Sequence, residues 1–163
     1  MTGAKKKENW YMKVDHVEYL TYDIEKAIID FVENWGYLQE TEIINDNIPD
    51  AETGVIRNVN LCFLRNQGVR VELVSPMNEN AVVAKTLAKQ GAGPYHICYR
   101  TENLDEKIEQ LRKDKWIIVQ KPAKAVAFQN ARVVFMFKKN TGLIEIVEEI
   151  GDRNETVELF GKE

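Results

Sequence analysis

The chain contains two histidines, and each one opens a copy of the same sequence pattern. The pattern runs over residues 16–28 and again, without a gap, over residues 96–108, with histidine, tyrosine, threonine and isoleucine at matching places. A glutamate between aliphatic neighbours follows late in each copy, as Glu72 in Val-Glu-Leu-Val and Glu145 in Ile-Glu-Ile-Val. Each repeat therefore offers one imidazole and one carboxylate, which are ligand types for a divalent metal ion.

A duplicated pattern predicts that these side chains meet at one point. Side chains alternate along a strand, so a histidine and a glutamate on two strands of one repeat can share a face. A lone strand histidine is usually structural, but two in equivalent places favour a metal site, and a buried unpaired carboxylate would be costly. The predicted ligands are His16, Glu72, His96 and Glu145, and this set suits Co, Ni, Zn, Mn or Fe without distinguishing among them.

The elements that must position these residues recur in the same order in both copies. In the first copy, Asp23 is typical of the N-cap of a helix that ends near Trp35. Strands are predicted there at residues 11–21, 37–44, 55–64 and 69–75.

The second copy begins after a predicted helix at 81–90 and a Gly-Ala-Gly-Pro break. Asn103 is the predicted cap of a helix over 104–114. Strands are predicted at residues 95–101, 116–119, 126–137 and 143–148.

Two tandem βαβββ modules predict an α+β fold in which a curved mixed sheet surrounds a shared metal-binding cavity. Each module alone would leave one sheet face bare, and facing the two together covers both. The predicted divisions are a flexible N-terminal tail (1–10), module one (11–76), a linker helix (77–93), module two (94–149) and a C-terminal extension (150–163).

The charge and composition of the chain argue against several classes of function. The net charge of -4 argues against nucleic acid as a partner, because a surface that follows phosphates needs a basic excess. The sequence has no apolar run long enough to span a bilayer and no hydrophobic signal segment, which predicts a soluble, cytoplasmic protein without a membrane partner. Cys62 and Cys98 lack CxxC spacing, so we expect two reduced, buried thiols.

Several short stretches carry a resemblance to a known family. They are 14–17 (Val-Asp-His-Val), 71–76 (Val-Glu-Leu-Val-Ser-Pro), the linker 81–93, 95–98 (Tyr-His-Ile-Cys) and 142–147 (Gly-Leu-Ile-Glu-Ile-Val). With these the chain resembles the vicinal oxygen chelate superfamily, which includes glyoxalase I, methylmalonyl-CoA epimerase, extradiol dioxygenases and bleomycin-resistance proteins. The resemblance is greatest to the epimerase branch, and it implies a glyoxalase-like fold with one divalent metal ion.

The chain also departs from the epimerase pattern. Epimerases carry a catalytic glutamate after a Gly-Val pair, and the corresponding stretch here ends in Arg57. Glu72 stands where epimerases often have glutamine and bacterial glyoxalase I has glutamate. The resemblance implies Glu145 as the catalytic base, and our hypothesis is that Glu72 serves the opposite face of the substrate. Arg57 has two interpretations: an ordinary arginine on a surface strand, or a cavity residue whose guanidinium binds a substrate carboxylate or phosphate.

Three functions follow as expectations. The first is a metal-dependent epimerase that moves a proton next to a thioester carbonyl through a metal-stabilised enolate, with a small-molecule substrate such as an acyl-CoA. The second is a glyoxalase I-like lactoylglutathione lyase, and the third is a non-catalytic small-molecule-binding protein of the resistance type. The resemblance also implies a homodimer as a possible assembly.

Overall fold

The computed structural model of the protein describes residues 11–149, so the predicted tail 1–10 and the predicted extension 150–163 lie outside the described residues. Within the described part, no helix has the length and apolar composition needed to cross a membrane.

The helices and strands follow the predicted order twice over. In chain order they are β1 (Lys13–Leu20), α1 (Ile24–Trp35), β2 (Leu38–Gln39), β3 (Ile44–Asp46), β4 (Val59–Asn66), β5 (Val69–Pro76), α2 (Ala84–Gln90), β6 (Gly93–Thr101), α3 (Leu104–Lys113), β7 (Ile117–Ala125), β8 (Ala131–Lys138) and β9 (Gly142–Glu148). A 3₁₀ turn at Val126–Phe128 lies between β7 and β8.

All the described strands join one nine-stranded sheet in the order β2-β4-β5-β1-β6-β9-β8-β7, with β3 paired to β4. The centre of the sheet is the antiparallel pair β1 and β6, which are the strands that carry the histidines. On the outer side of each, β1 pairs in parallel with β5 and β6 with β9, which are the strands that carry the glutamates. The predicted α+β fold, with two related modules in one mixed sheet, is confirmed. The second module is βαβββ, and the first has one strand more, because β2 and β3 replace one predicted strand.

Because side chains alternate along each strand, one face of the sheet packs against the helices and the other face lines the concave interior of the sheet. On β4, Cys62 and Leu64 pack under α1, whereas Leu61 and Phe63 belong to the cluster that lines the inner face. A third apolar cluster packs under α3 in the second module. Both sheet faces are therefore covered, which explains why the strands have near-continuous apolar sequences. Cys62 and Cys98 are free and buried, as predicted.

Equivalent caps begin the two main helices. Asp23 accepts a hydrogen bond from the Lys26 N–H at 3.1 Å, and Asn103 accepts one from the Glu106 N–H at 3.1 Å. Each cap satisfies one of the N–H groups that a helix leaves without an intrahelical partner.

Loss of the second cap should weaken the fold measurably. We expect Asn103→Ala to lower the free energy of unfolding by about 1 kcal/mol, because the Glu106 N–H loses its acceptor. Urea denaturation measures the effect, and Asn103→Asp, which keeps an acceptor oxygen, should stay near wild type. Equal stability of the alanine and aspartate variants would contradict this role.

Two predicted strands of the first module have different bounds. The prediction over 37–44 is replaced by the short strands β2 and β3. The prediction over 55–64 began too early, because Asn58 adopts a left-handed φ of 55° and β4 starts only at Val59. As a result, Arg57 lies in irregular chain before the strand.

Predicted strands of the second module also have different bounds in the structure. The prediction over 126–137 crosses a break, because Gln129 and Asn130 have φ values of 54° and 65° and turn the chain between β7 and β8. Strand β7 instead continues to Ala125, beyond the predicted end at 119. The linker helix begins at Ala84, three residues later than predicted.

Candidate functional site

The structure brings together the four residues predicted as metal ligands. His16 and His96 lie on the paired strands β1 and β6, and both side chains are buried. Glu72 and Glu145 are buried on the neighbouring strands and face the same interior. The two repeats therefore contribute equivalent pairs to one place at the centre of the sheet.

Distances between the polar atoms define a compact cluster. The Nε2 atom of His16 lies 2.8 Å from Glu72 Oε2 and 3.6 Å from Glu145 Oε2. The Nε2 atom of His96 lies 3.0 Å from the same oxygen of Glu145. Glu145 is thus shared between the two imidazoles, whereas Glu72 contacts His16.

The cluster fits a divalent ion on the chemistry of its donors. One ligand atom each from His16, His96 and Glu145 lies within 4.8 Å of the others, and Glu72 adjoins them through His16. Among the described residues, none gives His16 Nε2 a hydrogen bond of good geometry, although this atom is buried. A buried donor atom that faces two carboxylates without a hydrogen bond is the situation that a bound cation would satisfy.

Aromatic rings hold the two imidazoles in place. The His16 ring stacks on Phe128 at 5.8 Å between centroids and meets the edge of Phe63 at 5.4 Å. The His96 ring packs edge-on against Phe135 at 5.2 Å. These contacts restrict rotation of both imidazoles and exclude water from the space around them.

A second carboxylate orients His16, and the sequence analysis missed it. Asp15 Oδ2 lies 2.7 Å from His16 Nδ1, and Arg70 and Arg100 form ion pairs with Asp15 at 2.9 and 3.2 Å. The pairing of β1 with β6 slips between Val14 and His16, so Asp15 is the extra residue of a β-bulge. Strict alternation would have turned Asp15 away from its neighbour, and no sequence signal marked this bulge.

Two further buried carboxylates were also missed. Glu18 lies two residues after His16 on the same face of β1, and its Oε2 is 2.8 Å from His96 Nδ1. The i, i+2 spacing was a usable signal, but the second repeat has no matching acid. Asp46 lies on β3, in a segment predicted as loop after residue 44, and it lines the cavity.

A cavity of about 160 Å³ opens onto the cluster. Its walls are mostly aliphatic and aromatic, with a few polar groups at one end. The lining residues are Glu18, Asp46, Arg57, Val59, Leu61, Glu72, Val74, Val82, Val83, Tyr95, Val119, Gln120, Ala125, Ala127, Phe128, Phe135, Leu143 and Glu145. Such a pocket, apolar with a few converging polar groups, is typical of small-molecule sites.

Arg57 reaches this cavity from the loop before β4. Its Nη1 donates to the Lys124 carbonyl at 3.1 Å and lies 3.5 Å from Asp46 Oδ2. Its Nη2 is buried and makes no hydrogen bond within the described part of the chain. Asp50, in the same loop, accepts a hydrogen bond from the Lys124 N–H through Oδ2 at 2.6 Å. Two residues of module one thus bind the carbonyl and the N–H of Lys124, which belongs to module two.

The pKa values of the histidines and carboxylates in the cluster are displaced from their ordinary values, and not all in the same direction. Burial lowers the pKa of His16, but the nearby negative charge of Glu72 and the hydrogen bond that Asp15 accepts from Nδ1 outweigh burial and raise the pKa to about 10. Burial likewise opposes ionisation of Glu145, but its contacts with the two histidines hold the pKa of Glu145 below its usual value. Burial raises the pKa of Glu72 and of Asp46. In the metal-free site, burial therefore favours the protonated form of Glu72, whereas the two histidines favour the ionised form of Glu145.

The raised pKa of His16 predicts how the metal-free protein responds to pH. A folded-state pKa of about 10, against an ordinary 6.5, means that protonated His16 stabilises the fold fully below pH 6.5 and loses this contribution as pH rises towards 10. We therefore expect the chelator-treated protein to lose stability over this interval, as measured by urea denaturation. His16→Gln should show a smaller loss, and equal slopes would contradict the assignment.

The chain is similar in sequence and in fold to known proteins. The chain is 26% identical to human mitochondrial methylmalonyl-CoA epimerase over 137 residues, which are 82% of this chain and 72% of the relative. The crystal structure of methylmalonyl-CoA epimerase from Mycobacterium tuberculosis superposes with a TM-score of 0.70 at 27% identity, covering 85% of this chain and 88% of that one.

A variant of Streptomyces coelicolor methylmalonyl-CoA epimerase, in complex with 2-nitronate-propionyl-CoA, has the same fold. Its TM-score is 0.67 at 20% identity, covering 84% of this chain and 96% of that one. The family model of the glyoxalase/bleomycin resistance protein/dioxygenase superfamily matches residues 15–135. The chain therefore belongs to the glyoxalase/bleomycin resistance protein/dioxygenase superfamily.

Proposed function

We propose that this protein is a metal-dependent epimerase of the methylmalonyl-CoA epimerase type, which inverts the carbon next to a thioester carbonyl by proton removal and return. The observation that carries the proposal is geometric: Glu72 and Glu145 line one cavity, and each carboxylate lies beside a buried imidazole of a possible metal site. Inversion needs one group to take a proton and another to return one, and such a pair suits both tasks.

The residues that would hold the metal are His16, Glu72, His96 and Glu145. A divalent ion bound there would neutralise the negative charge that develops on the thioester oxygen when the neighbouring carbon loses its proton. The family includes metal-dependent members, and Co, Ni, Zn, Mn and Fe all accept this donor set. The apolar walls keep water away from the reacting carbon, which strengthens every electrostatic contact in the cavity.

Glu145 is the proposed base. It lies between the two imidazoles, and their contacts keep its carboxylate ionised and therefore able to accept a proton. Glu72 is the proposed partner on the opposite face of the substrate. Asp46 is an additional candidate for that partner, because it lines the cavity and burial favours its protonated form.

Arg57 is the proposed anchor of the substrate's free carboxylate. Its buried Nη2 donates to no described residue, so a carboxylate entering the cavity would supply the missing acceptor. A malonyl-type acyl group has such a carboxylate next to the carbon that loses the proton. The acyl-CoA complex of the Streptomyces coelicolor epimerase supports a substrate of this chemical class.

Removal of this anchor should affect carboxylated substrates selectively. We expect Arg57→Leu to raise the KM for methylmalonyl-CoA by about 10- to 100-fold, because a hydrogen bond to a charged group is worth about 1.5–3 kcal/mol. Inhibition by propionyl-CoA, which lacks the carboxylate, should change little and serves as the matched control. An equal loss for both ligands would assign Arg57 to the structure of the loop.

The direct test is proton exchange on a single stereoisomer of methylmalonyl-CoA in D₂O, with the protein supplied with each candidate metal in turn. Inversion with uptake of solvent deuterium is the expected result. Activity on a hemithioacetal of glutathione instead would favour the glyoxalase I-like lyase. The two glutamates of the predicted ligand set also favour that function. Tight binding without turnover of either compound would identify a binding protein.

A further inference from the structure

One strand supplies the carboxylates that contact both imidazoles on the side away from Glu145. Asp15 Oδ2 lies 2.7 Å from His16 Nδ1, and Glu18 Oε2 lies 2.8 Å from His96 Nδ1. Both carboxylates belong to β1, although His96 belongs to β6. The segment Asp-His-Val-Glu therefore contacts the outer nitrogen of both histidines.

This arrangement breaks the symmetry of the repeat. In the second copy the place of Asp15 is taken by Tyr95 and the place of Glu18 by Cys98, and neither of these can replace a carboxylate. Glu18 lies beside a second register shift between β1 and β6, which falls between Val17 and Tyr19. The first copy thus carries a carboxylate that pairs with the histidine of the other copy.

We propose that Glu18 is a positioning residue for His96 in the metal site, holding the proton of the imidazole on Nδ1 so that Nε2 keeps a free lone pair for the ion. This inference rests on the proposed metal-dependent function. Nε2 of His96 is the nitrogen that faces Glu145, at 3.0 Å, and it belongs to the group of atoms close enough to share an ion. Carboxylate partners of ligand histidines fix the tautomer and raise the basicity of the ring.

The burial of Glu18 supports a specific role. The residue is buried and lines the cavity, where an ionised carboxylate is costly unless it has a partner. Although Oε2 and Nδ1 are 2.8 Å apart, neither atom makes an aligned hydrogen bond within residues 11–149. The two atoms are therefore close enough for a hydrogen bond, and no other described residue supplies one to either of them.

A purely structural role makes a different prediction. If Glu18 only paired with a charged His96, its loss would lower the stability of the metal-free fold and leave metal affinity unchanged. A positioning role predicts the reverse, because the benefit of Glu18 appears only when Nε2 binds an ion. The two roles can therefore be separated by measuring metal affinity and metal-free stability on the same variants.

The experiment uses the full chain after treatment with a chelator, and Co²⁺ is the probe. Calorimetric titration gives the affinity, the visible absorption of bound Co²⁺ reports the geometry of its ligands, and thermal unfolding with and without Co²⁺ gives stability. The variants are Glu18→Leu and Glu18→Gln, and Glu33→Leu on the exposed side of α1 is the control. Glutamine keeps an acceptor oxygen without the charge, so it tests the proposal even where leucine perturbs folding.

We expect Glu18→Leu to weaken Co²⁺ binding by about 10- to 100-fold, Glu18→Gln to weaken it less, and both to change the absorption spectrum. The melting temperature without metal should not fall, whereas the increase on adding Co²⁺ should shrink. Wild-type affinity in both variants would overturn this inference alone. A wild-type chain that binds no Co²⁺ and no other divalent ion would overturn the proposed metal-dependent function as well.

Discussion

Replacing Glu145 with glutamine is expected to slow proton exchange on one stereoisomer of methylmalonyl-CoA, the one from which Glu145 removes the proton, by about 10²- to 10⁴-fold, the usual contribution of a positioned general base. Glutamine keeps the size of the side chain and one oxygen that can face the metal, but it cannot accept a proton. The contacts with His16 and His96 that favour the ionised form of Glu145 would then have no carboxylate to act on. Deuterium incorporation followed by NMR measures the effect.

The matched control for this substitution is Glu109→Gln on the outer face of α3, where the side chain is 71% exposed. Full exchange activity in Glu145→Gln would exclude Glu145 as the base. The partner acid is identified in the same assay with Glu72→Gln and Asp46→Asn. The variant of the true partner should lose inversion while still exchanging the proton of one stereoisomer, because the base on the other face remains.

The second large effect is expected from His96→Ala. Wild type should contain about one divalent ion per chain, and the variant should bind that metal more than about 100-fold more weakly, because even the outer partners of a ligand change affinity by about 10- to 100-fold. Epimerisation should be lost with the metal. Elemental analysis of the purified proteins, before and after reconstitution, is the measurement.

Tyr95→Phe provides the control for this substitution, since it changes the neighbouring residue without removing a nitrogen ligand. Circular dichroism should establish that both variants keep the wild-type fold. Equal metal content in wild type and His96→Ala would exclude His96 as a ligand. A wild type that takes up no metal after reconstitution would leave a binding module with this fold and none of the proposed chemistry.

The repeat explains why so much of the centre of the molecule could be predicted. Two copies of a histidine at the start of a strand and two copies of a glutamate on a later strand constrain each other, since the two copies are expected to fold alike and to contribute equivalent side chains to one shared site. The structure places those strands side by side, as β5-β1-β6-β9. The convergence of His16 with Glu145 across the copies follows from that order.

The residues that the repeat does not contain were the ones that could not be predicted. Asp15 faces inward only because of a β-bulge, which depends on the pairing of two distant strands and not on the local pattern. Asp46 lies on a strand of three residues, too short for any alternation to be seen. Arg57 was predicted on a strand, but the left-handed backbone at Asn58 delays the start of β4 to Val59 and leaves Arg57 in irregular chain.

The antiparallel pairing of β1 with β6 relates the two repeats as a twofold axis would. These strands are equivalent in the two repeats, and antiparallel pairing of equivalent strands is the arrangement that a twofold axis produces. A single repeat standing alone would leave β1 as an open edge, with hydrogen-bonding groups ready to pair with the same edge of another molecule. The two repeats are thus arranged as the subunits of a twofold dimer would be, but within one chain the two copies can differ, as they do at Asp15 and Glu18.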